Sequence, residues 1–216
     1  MLAVSDGVAR DLVERLGLAG ANIVRIYNPV DAAAIRELAA RPEARLPREP
    51  YLIHVGRFAP QKRHDLLFEA LRRSGLPHRL VLLANSSATL ERLIADKDVS
   101  GRVTVAGFQA NPYPWIAGAE MLVLCSDHEG MPNALVEALA CGTRVVSTDC
   151  PSGPREVLEG ELARHLVPCG DADALAGAMR SALAAPRPQA GRVLERFAAE
   201  CVIAQYESLP GLWRGA

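Results

Sequence analysis

Leu80-Val81-Leu82-Leu83 has no polar face, and it is one of several strand-like segments spaced along a chain of 216 residues. A strand that is apolar on both sides must be covered on both, which calls for a parallel sheet sandwiched between helices. The sequence predicts strands over 51–55, 79–84, 102–106, 121–125 and 144–148, with a shorter one over 164–167. Helical patterning falls over 63–73, 87–95, 132–141 and 171–185. This alternation argues for an α/β fold with a doubly wound parallel sheet, Rossmann-like in kind. A chain of this length can bury one good core of that type but is short for two full domains. No repeat or low-complexity segment interrupts it, and the proline-rich patches at 42–50 and 186–188 read as connections.

Ligands of open α/β sheets bind in the crevice beyond the carboxyl ends of the strands. The segment after strand 121–125 is Glu129-Gly130-Met131-Pro132-Asn133-Ala134-Leu135-Val136-Glu137, a loop feeding a helix with a carboxylate at either end. Pro132 suits a first helical turn, where no amide hydrogen bond is lost. Backbone N–H groups from Met131 to Ala134 would face an anion, helped by the helix dipole. A carboxylate accepts two hydrogen bonds and so fits a diol, either a ribose or a sugar face. Taken alone, such acids are more often solvated charges that gain up to about 1 kcal/mol from the dipole.

The loop after strand 51–55 reads Gly56-Arg57-Phe58-Ala59-Pro60-Gln61-Lys62. Gly56 permits close backbone approach. Arg57 and Lys62 supply a planar fork and a point charge, suited to a pyrophosphate. An ordinary basic loop is an equal reading of this piece by itself. A diphosphate clamp on one strand end and a diol binder on another, however, make a nucleotide-sugar site. Asn85, just past a third strand, either lines that cleft or shapes a turn.

With these residues in view, the chain resembles the carboxyl-terminal, donor-binding half of a GT-B fold glycosyltransferase of family GT4, the glycosyl transferases group 1. The resemblance is carried by Gly56-Arg57 with Gln61-Lys62, by Gly107-Phe108 and by the Glu129 and Glu137 pair. Val4-Ser5-Asp6-Gly7-Val8, Tyr27-Asn28-Pro29-Val30-Asp31 and Asp149-Cys150-Pro151-Ser152-Gly153-Pro154-Arg155-Glu156 agree with it, in the family's order over roughly residues 1 to 210. It implies that Arg57 and Lys62 bind the donor diphosphate and stabilise the departing nucleotide. Glu129 would contact the transferred sugar and act with those two cations as the catalytic set. Glu137 would hold the ribose hydroxyls, backbone near Gly107 and Phe108 would meet the base, and Gly130 to Ala134 would meet sugar and phosphate. Met131 stands where the family often has an aromatic residue, so substrate shape differs there while the chemistry does not.

The family's reaction is sugar transfer with retention from a nucleotide-diphosphate sugar, with cationic side chains in place of a metal and no other cofactor. The Asn28-Pro29-Val30-Asp31 turn and the Asp149-to-Glu156 segment look most like members that build surface polysaccharides from UDP-linked sugars, with GDP-sugars still open. The partners so implied are the donor and a glycan or lipid-linked acceptor. The expected location is cytoplasmic, at the inner face of the membrane through the acceptor. The Asp149-to-Glu156 segment either reaches an anion through Arg155 or braces the glutamate loop.

Composition narrows the alternatives. A net charge of −1 offers no footprint for nucleic acid. No apolar run approaches the roughly 20 residues of a membrane span, and the opening residues lack a signal-peptide pattern. Five cysteines, an odd number without a CxxC, suit reduced thiols. Asp96-Lys97-Asp98 and Asp171-Ala172-Asp173 match a metal-binding DxD pattern, but Asp171 reads as a helix cap and the other as a helix end, so no metal is expected. No GxGxxG follows a strand, which weighs against a nicotinamide enzyme, and no GxxxxGK[ST] occurs, which excludes a P-loop NTPase. His128, beside Glu129, is the best-placed histidine to touch a sugar. His54 reads as a satisfied core residue, and His64, His78 and His165 as unremarkable.

The resemblance also divides the chain. Residues 1–30, with Ser5 capping a helix Asp6–Leu16 and a short strand over 23–26, correspond to the end of an amino-terminal domain and its crossover. Residues 31–188 are the nucleotide-sugar-binding domain, and a single helix over about 189–208, within a segment 189–216, would pack back across the seam with a partly exposed apolar stripe. The expectation is a half-enzyme that binds donor but does not turn over. A stand-alone nucleotide-sugar binding module and a different GT-B enzyme, such as a sugar-nucleotide epimerase, are the alternatives.

Overall fold

A computed structural model of the chain describes residues 1–209. It begins with a small unit of β1 (Leu2–Ala3), α1 (Asp6–Leu16) and β2 (Val24–Arg25), the two strands paired in parallel. Ser5 caps α1 by accepting the Val8 amide at 3.1 Å. Asp31 caps α2 (Ala32–Ala39) through the amides of Ala33 and Ala34. Both caps satisfy orphan donors of a first turn, which is why Ser and Asp start helices.

The main sheet follows, with β3 (Tyr51–Val55), β4 (Arg79–Leu83), β5 (Val103–Val105), β6 (Met121–Leu124), β7 (Arg144–Thr148) and β8 (Leu166–Val167). Helices α3 (His64–Ser74), α4 (Ala88–Asp96), α5 (Tyr113–Gly118), α6 (Asn133–Ala140), α7 (Pro154–Val157) and α8 (Ala172–Ala184) connect or follow these strands. All the strands are parallel, in the order β5-β4-β3-β6-β7-β8. Alternate side chains of each strand enter opposite cores, as a period of two requires. Leu52, Leu80, Leu82 and Val123 pack with Leu67, Phe68 and Met179 on one face. Ile53, Val81, Leu122 and Val145 pack with Trp115, Ile116, Leu135 and Leu139 on the other. The doubly wound parallel sheet expected from the sequence is therefore what forms.

The strand order reverses between β3 and β6, whose Leu52 and Ile53 pair with Met121 and Leu122. Chain connections run outward in opposite directions from these two central strands, so the loops after them diverge and leave a crevice. That topology alone puts residues 56–63 beside residues 125–132.

Besides the unexpected β1 and α7, and a last strand that starts at Leu166 after a 3-10 helix over Gly160–His165 instead of at 164, two further elements differ from expectation. The single helix over 189–208 is two, α9 (Gly191–Glu195) and α10 (Ala199–Glu207). Between them Phe197 is fully buried against the Tyr27 ring at 4.8 Å, and its carbonyl accepts the Val30 amide at 2.7 Å. A carbonyl committed to Val30 is lost to the helical ladder, so the helix breaks there. Ile203 and Tyr206 of α10 are exposed, as the expected apolar stripe requires. Residues 210–216 of the expected 189–216 segment lie outside the described residues. The second difference is α5, which no sequence pattern announced: six residues with Pro112 and Pro114 at the start are too short to show a helical period. Among the described residues, no helix is long and apolar enough to cross a membrane.

Candidate functional site

Lys62 and Glu129 meet across the crevice. The Lys62 ammonium donates to Oε1 of Glu129 at 2.6 Å, with both side chains largely buried. The loops that carry them are tied by backbone as well, the Asp127 amide donating to the Gln61 carbonyl at 2.8 Å. The buried Cys125 thiol donates to the Lys62 carbonyl at 3.0 Å. Arg63 adds a third tie from the start of α3. It holds a left-handed φ of 48° while its guanidinium donates to Asp65 and, at 2.9 Å, to Asp127. These hydrogen bonds, Asp65 foremost, raise the Arg63 pKa and hold the Asp65 carboxyl below its usual range.

Arg57 is exposed at the mouth of a neighbouring cavity of about 430 Å³, which it lines with Val55, Gly56, Leu83, Ala84, Asn85, Phe108, Gln109 and Pro112. Phe108 stands 79% exposed on its rim, turned out by Gly107, whose φ of 78° favours glycine. Gln109 is the wall residue that the sequence concealed. Its amide donates to the Ala106 carbonyl at 2.6 Å and accepts from Arg45 at 2.7 Å, a partner distant in the chain.

Glu137 lies in α6, a turn beyond the glutamate loop. Burial raises its pKa, and among the described residues no donor reaches its carboxylate. Tyr113, which follows Pro112 of the cavity wall, has its hydroxyl pKa raised first by burial and then by the Glu137 charge. At the start of α6, Gly130 and Asn133 are exposed, Ala134 is half-buried, and Met131 and Pro132 are buried. The Asn133 amide donates to the Met131 carbonyl at 2.9 Å, so it is not free for an anion as the sequence suggested. The Asn133 side-chain oxygen accepts from Asn28 at 2.9 Å.

The Asp149-to-Glu156 segment braces this loop. The Glu129 amide donates to Pro151 at 3.3 Å, and Gly153, at a φ of 98°, packs so closely under Pro132 that no Cβ would fit. Glu156 accepts the amides of Asp6 and Gly7 at 2.8 and 3.1 Å, binding the first turn of α1 to the same brace. Arg155 pairs with Asp149. Asp171 caps α8 through the Ala174 amide at 2.8 Å, and the Asp96–Asp98 segment ends α4.

The histidines depart from expectation. Nδ1 of His54 lies 2.9 Å from the Val123 carbonyl, but its Nε2 has no partner, so this core residue is only half satisfied. His64, expected to be unremarkable, is buried with both ring nitrogens unpartnered and its ring edge-on to His54 at 4.7 Å. Burial, the Val123 hydrogen bond opposing it, brings the His54 pKa down to about 4; burial together with His54 brings that of His64 down to about 3. His128 is exposed beside Glu129.

Known proteins resemble this chain in sequence and in fold. The chain is 33% identical over 159 residues to the N-acetylgalactosamine-N,N'-diacetylbacillosaminyl-diphospho-undecaprenol 4-alpha-N-acetylgalactosaminyltransferase of Campylobacter jejuni, covering 73% of this chain and 43% of that protein. It is 31% identical over 181 residues to the lipopolysaccharide 1,6-galactosyltransferase of Escherichia coli, covering 79% and 48% respectively. It thus spans about half the length of these relatives. The apo form of the lipopolysaccharide outer core galactosyltransferase WaaB superposes with a TM-score of 0.76 at 27% identity, over 95% of this chain and 60% of that one. Anabaena HepE in complex with UDP and glucose superposes with a TM-score of 0.78 at 19% identity, over 95% and 61%, a likeness of fold. Residues 49–185, more than half of the chain, match the family model for glycosyl transferases group 1, and the chain belongs to that family.

Proposed function

We propose that this chain is the donor-binding half of a retaining glycosyltransferase that moves a sugar from a UDP-linked donor to a glycan or lipid-linked acceptor. The observation that carries the reading is the meeting of Lys62 and Glu129 at the strand-order reversal, with Arg57 exposed on the Lys62 loop and, on the helix after Glu129, a Glu137 that no donor reaches among the described residues. A donor laid along this path has its base in the cavity edged by Phe108, its ribose on Glu137, its diphosphate on Arg57 and Lys62, and its sugar on Glu129. An ammonium has three donors, so Lys62 can keep Glu129 and still reach a phosphate oxygen. As the bond from sugar to diphosphate breaks, negative charge grows on the leaving oxygen. Fixed cations beside that oxygen stabilise the transition state more than the ground state. The acceptor hydroxyl attacks from the face the diphosphate leaves, which preserves the configuration of the transferred sugar. These side chains do that work without a metal or other cofactor.

The relatives' names support the acceptor class: one acts on a diphospho-undecaprenol-linked glycan and another on lipopolysaccharide. Such an enzyme works in the cytoplasm and meets its acceptor at the inner face of the membrane. In this reading residues 1–30 are a crossover unit, 31–188 the donor domain and 189–216 a segment that closes the seam. The chain then binds donor without turning it over alone. Calorimetric titration with UDP, GDP and UDP-sugars tests the assignment. One nucleotide should bind, and Lys62→Ala and Glu137→Ala should each weaken it by about 1.5–3 kcal/mol, the worth of a charge-assisted hydrogen bond. Unchanged affinity in both variants would refute the site, and steady turnover by the pure chain would refute its incompleteness.

A further inference from the structure

Glu129 is held by more than Lys62. Ser126, three residues earlier and fully buried, donates its hydroxyl to the same Oε1 at 2.6 Å. The Ser126 carbonyl in turn accepts the hydroxyl of Thr148 at 2.6 Å, and Thr148 is itself buried at the end of β7. A hydrogen-bonded line therefore runs from the neighbouring strand, through Ser126, to one oxygen of one carboxylate. Oε1 receives two short donors, Ser126 and Lys62, while among the described residues none reaches Oε2. The acceptor capacity that remains free is concentrated on Oε2.

We propose that Ser126 is a positioning residue: by pinning Oε1, it turns Oε2 of Glu129 toward a hydroxyl of the transferred sugar. This rests on the reading of Glu129 as the sugar contact. Lys62 alone does not fix the carboxylate, because an ammonium is a point charge on a flexible stem and accepts either oxygen as its partner. The serine hydroxyl sits on a buried segment and supplies the direction that the lysine lacks. Ser126 touches no ligand itself and acts only through Glu129, so its loss should be felt in recognition of the sugar and not of the nucleotide.

That distinction provides the test. The affinities of UDP and of UDP-glucose, UDP-galactose and UDP-N-acetylgalactosamine are measured for the wild-type chain, Ser126→Ala, Glu129→Gln and the double variant, each checked by thermal melting. Ser126→Ala should bind UDP within about twofold of wild type, while the preference for the best UDP-sugar over UDP falls about three- to tenfold, less than the full worth of a hydrogen bond to a charged group because the sugar contact is loosened and not removed. The double variant should show no further fall beyond Glu129→Gln. Equal losses for UDP and UDP-sugar, or an undiminished preference, would overturn the proposal. A ligand-free crystal structure of Ser126→Ala supplies a second, independent test. Glu129 should lose its single orientation, and a carboxylate that stays as in the parent would overturn the positioning role whether or not any donor binds. Failure of the wild-type chain to bind any nucleotide would instead count against the site assignment, and the ligand-free structures would then decide the role of Ser126.

Discussion

Three glycine-to-alanine substitutions separate backbone strain from steric crowding behind the glutamate loop. At Gly142 φ is 72° and an added Cβ would meet nothing within 4 Å, so the substitution carries a conformational cost alone. That cost is about 1–2 kcal/mol, partly offset by the stiffer unfolded chain, leaving about 1 kcal/mol. Gly7 has no such φ, but a Cβ there would lie 2.6 Å from the Cα of Ser152, so crowding acts alone. Forcing a methyl into packed backbone costs about 1–3 kcal/mol. Gly153 combines a φ of 98° with a Cβ driven into the Pro132 ring and 3.3 Å from the Cα of Met131. Its strain of about 1–3 kcal/mol and a crowding cost of similar size sum to about 2–6 kcal/mol. Each kcal/mol is worth roughly 2–4 °C in a domain of this size, so Gly153→Ala should melt at least about 4 °C below the parent. Urea denaturation should rank Gly142→Ala as mildest and Gly153→Ala as most severe, and Gly153→Ala should also weaken UDP-sugar binding as Pro132 shifts. If Gly153→Ala costs no more than Gly142→Ala, the brace under Pro132 does not have the close packing described.

Two further predictions concern titration. Burial raises the pKa of Glu137 in the folded chain, so its charge opposes folding at neutral pH and that penalty disappears as the pH falls below the unfolded value near 4.3. Glu137→Gln should therefore stabilise the free chain at pH 7, make no difference to stability at pH 3.5, and weaken nucleotide binding; destabilisation at pH 7 in urea titrations would contradict the reading. His64 has a depressed pKa in the folded chain, so stability is intact above the unfolded value near 6.5 and is lost as pH falls through the window down toward 3. His64→Leu removes two unpaired buried nitrogens and should gain about 1 kcal/mol at pH 7.5 while flattening the loss below pH 6.5; an unchanged slope in denaturation across pH 7.5 to 4.5 would refute the buried neutral state.

Much of the fold was legible because the signals that define it are local. Met121–Leu124 is a continuous apolar stretch, Tyr51–Val55 is broken only by His54, Arg144–Thr148 is centred on Val145 and Val146, and Ser5, Asp31 and Asp171 sit where helices need caps. Gly56, Arg57, Lys62 and Glu129 were legible as candidates because a parallel sheet displays the loops after its strands, and their chemistry is concentrated there. What stayed hidden depends on partners distant in the chain. Gln109 becomes a cavity wall only when Arg45 and Ala106 hold it, and the break at Phe197 follows from Val30 claiming its carbonyl. Ser126 carries no motif of its own and gains meaning only from the carboxylate oxygen it reaches. His64 reads like any residue at a helix start until α3 folds its ring against His54.

The ties between residues 56–63 and residues 125–132 bear on how such a protein can diverge. Loops ordinarily absorb insertions and deletions because little depends on their path. Here the Gln61 carbonyl, the Lys62 carbonyl and the Arg63 guanidinium each find a partner on the opposite loop at a fixed register. Lengthening either loop by one residue would pull these partners out of step together. The two loops are thus coupled in length, so what the crevice accepts is more readily altered through side chains such as Met131 and Phe108, which can change without altering the count of residues around them.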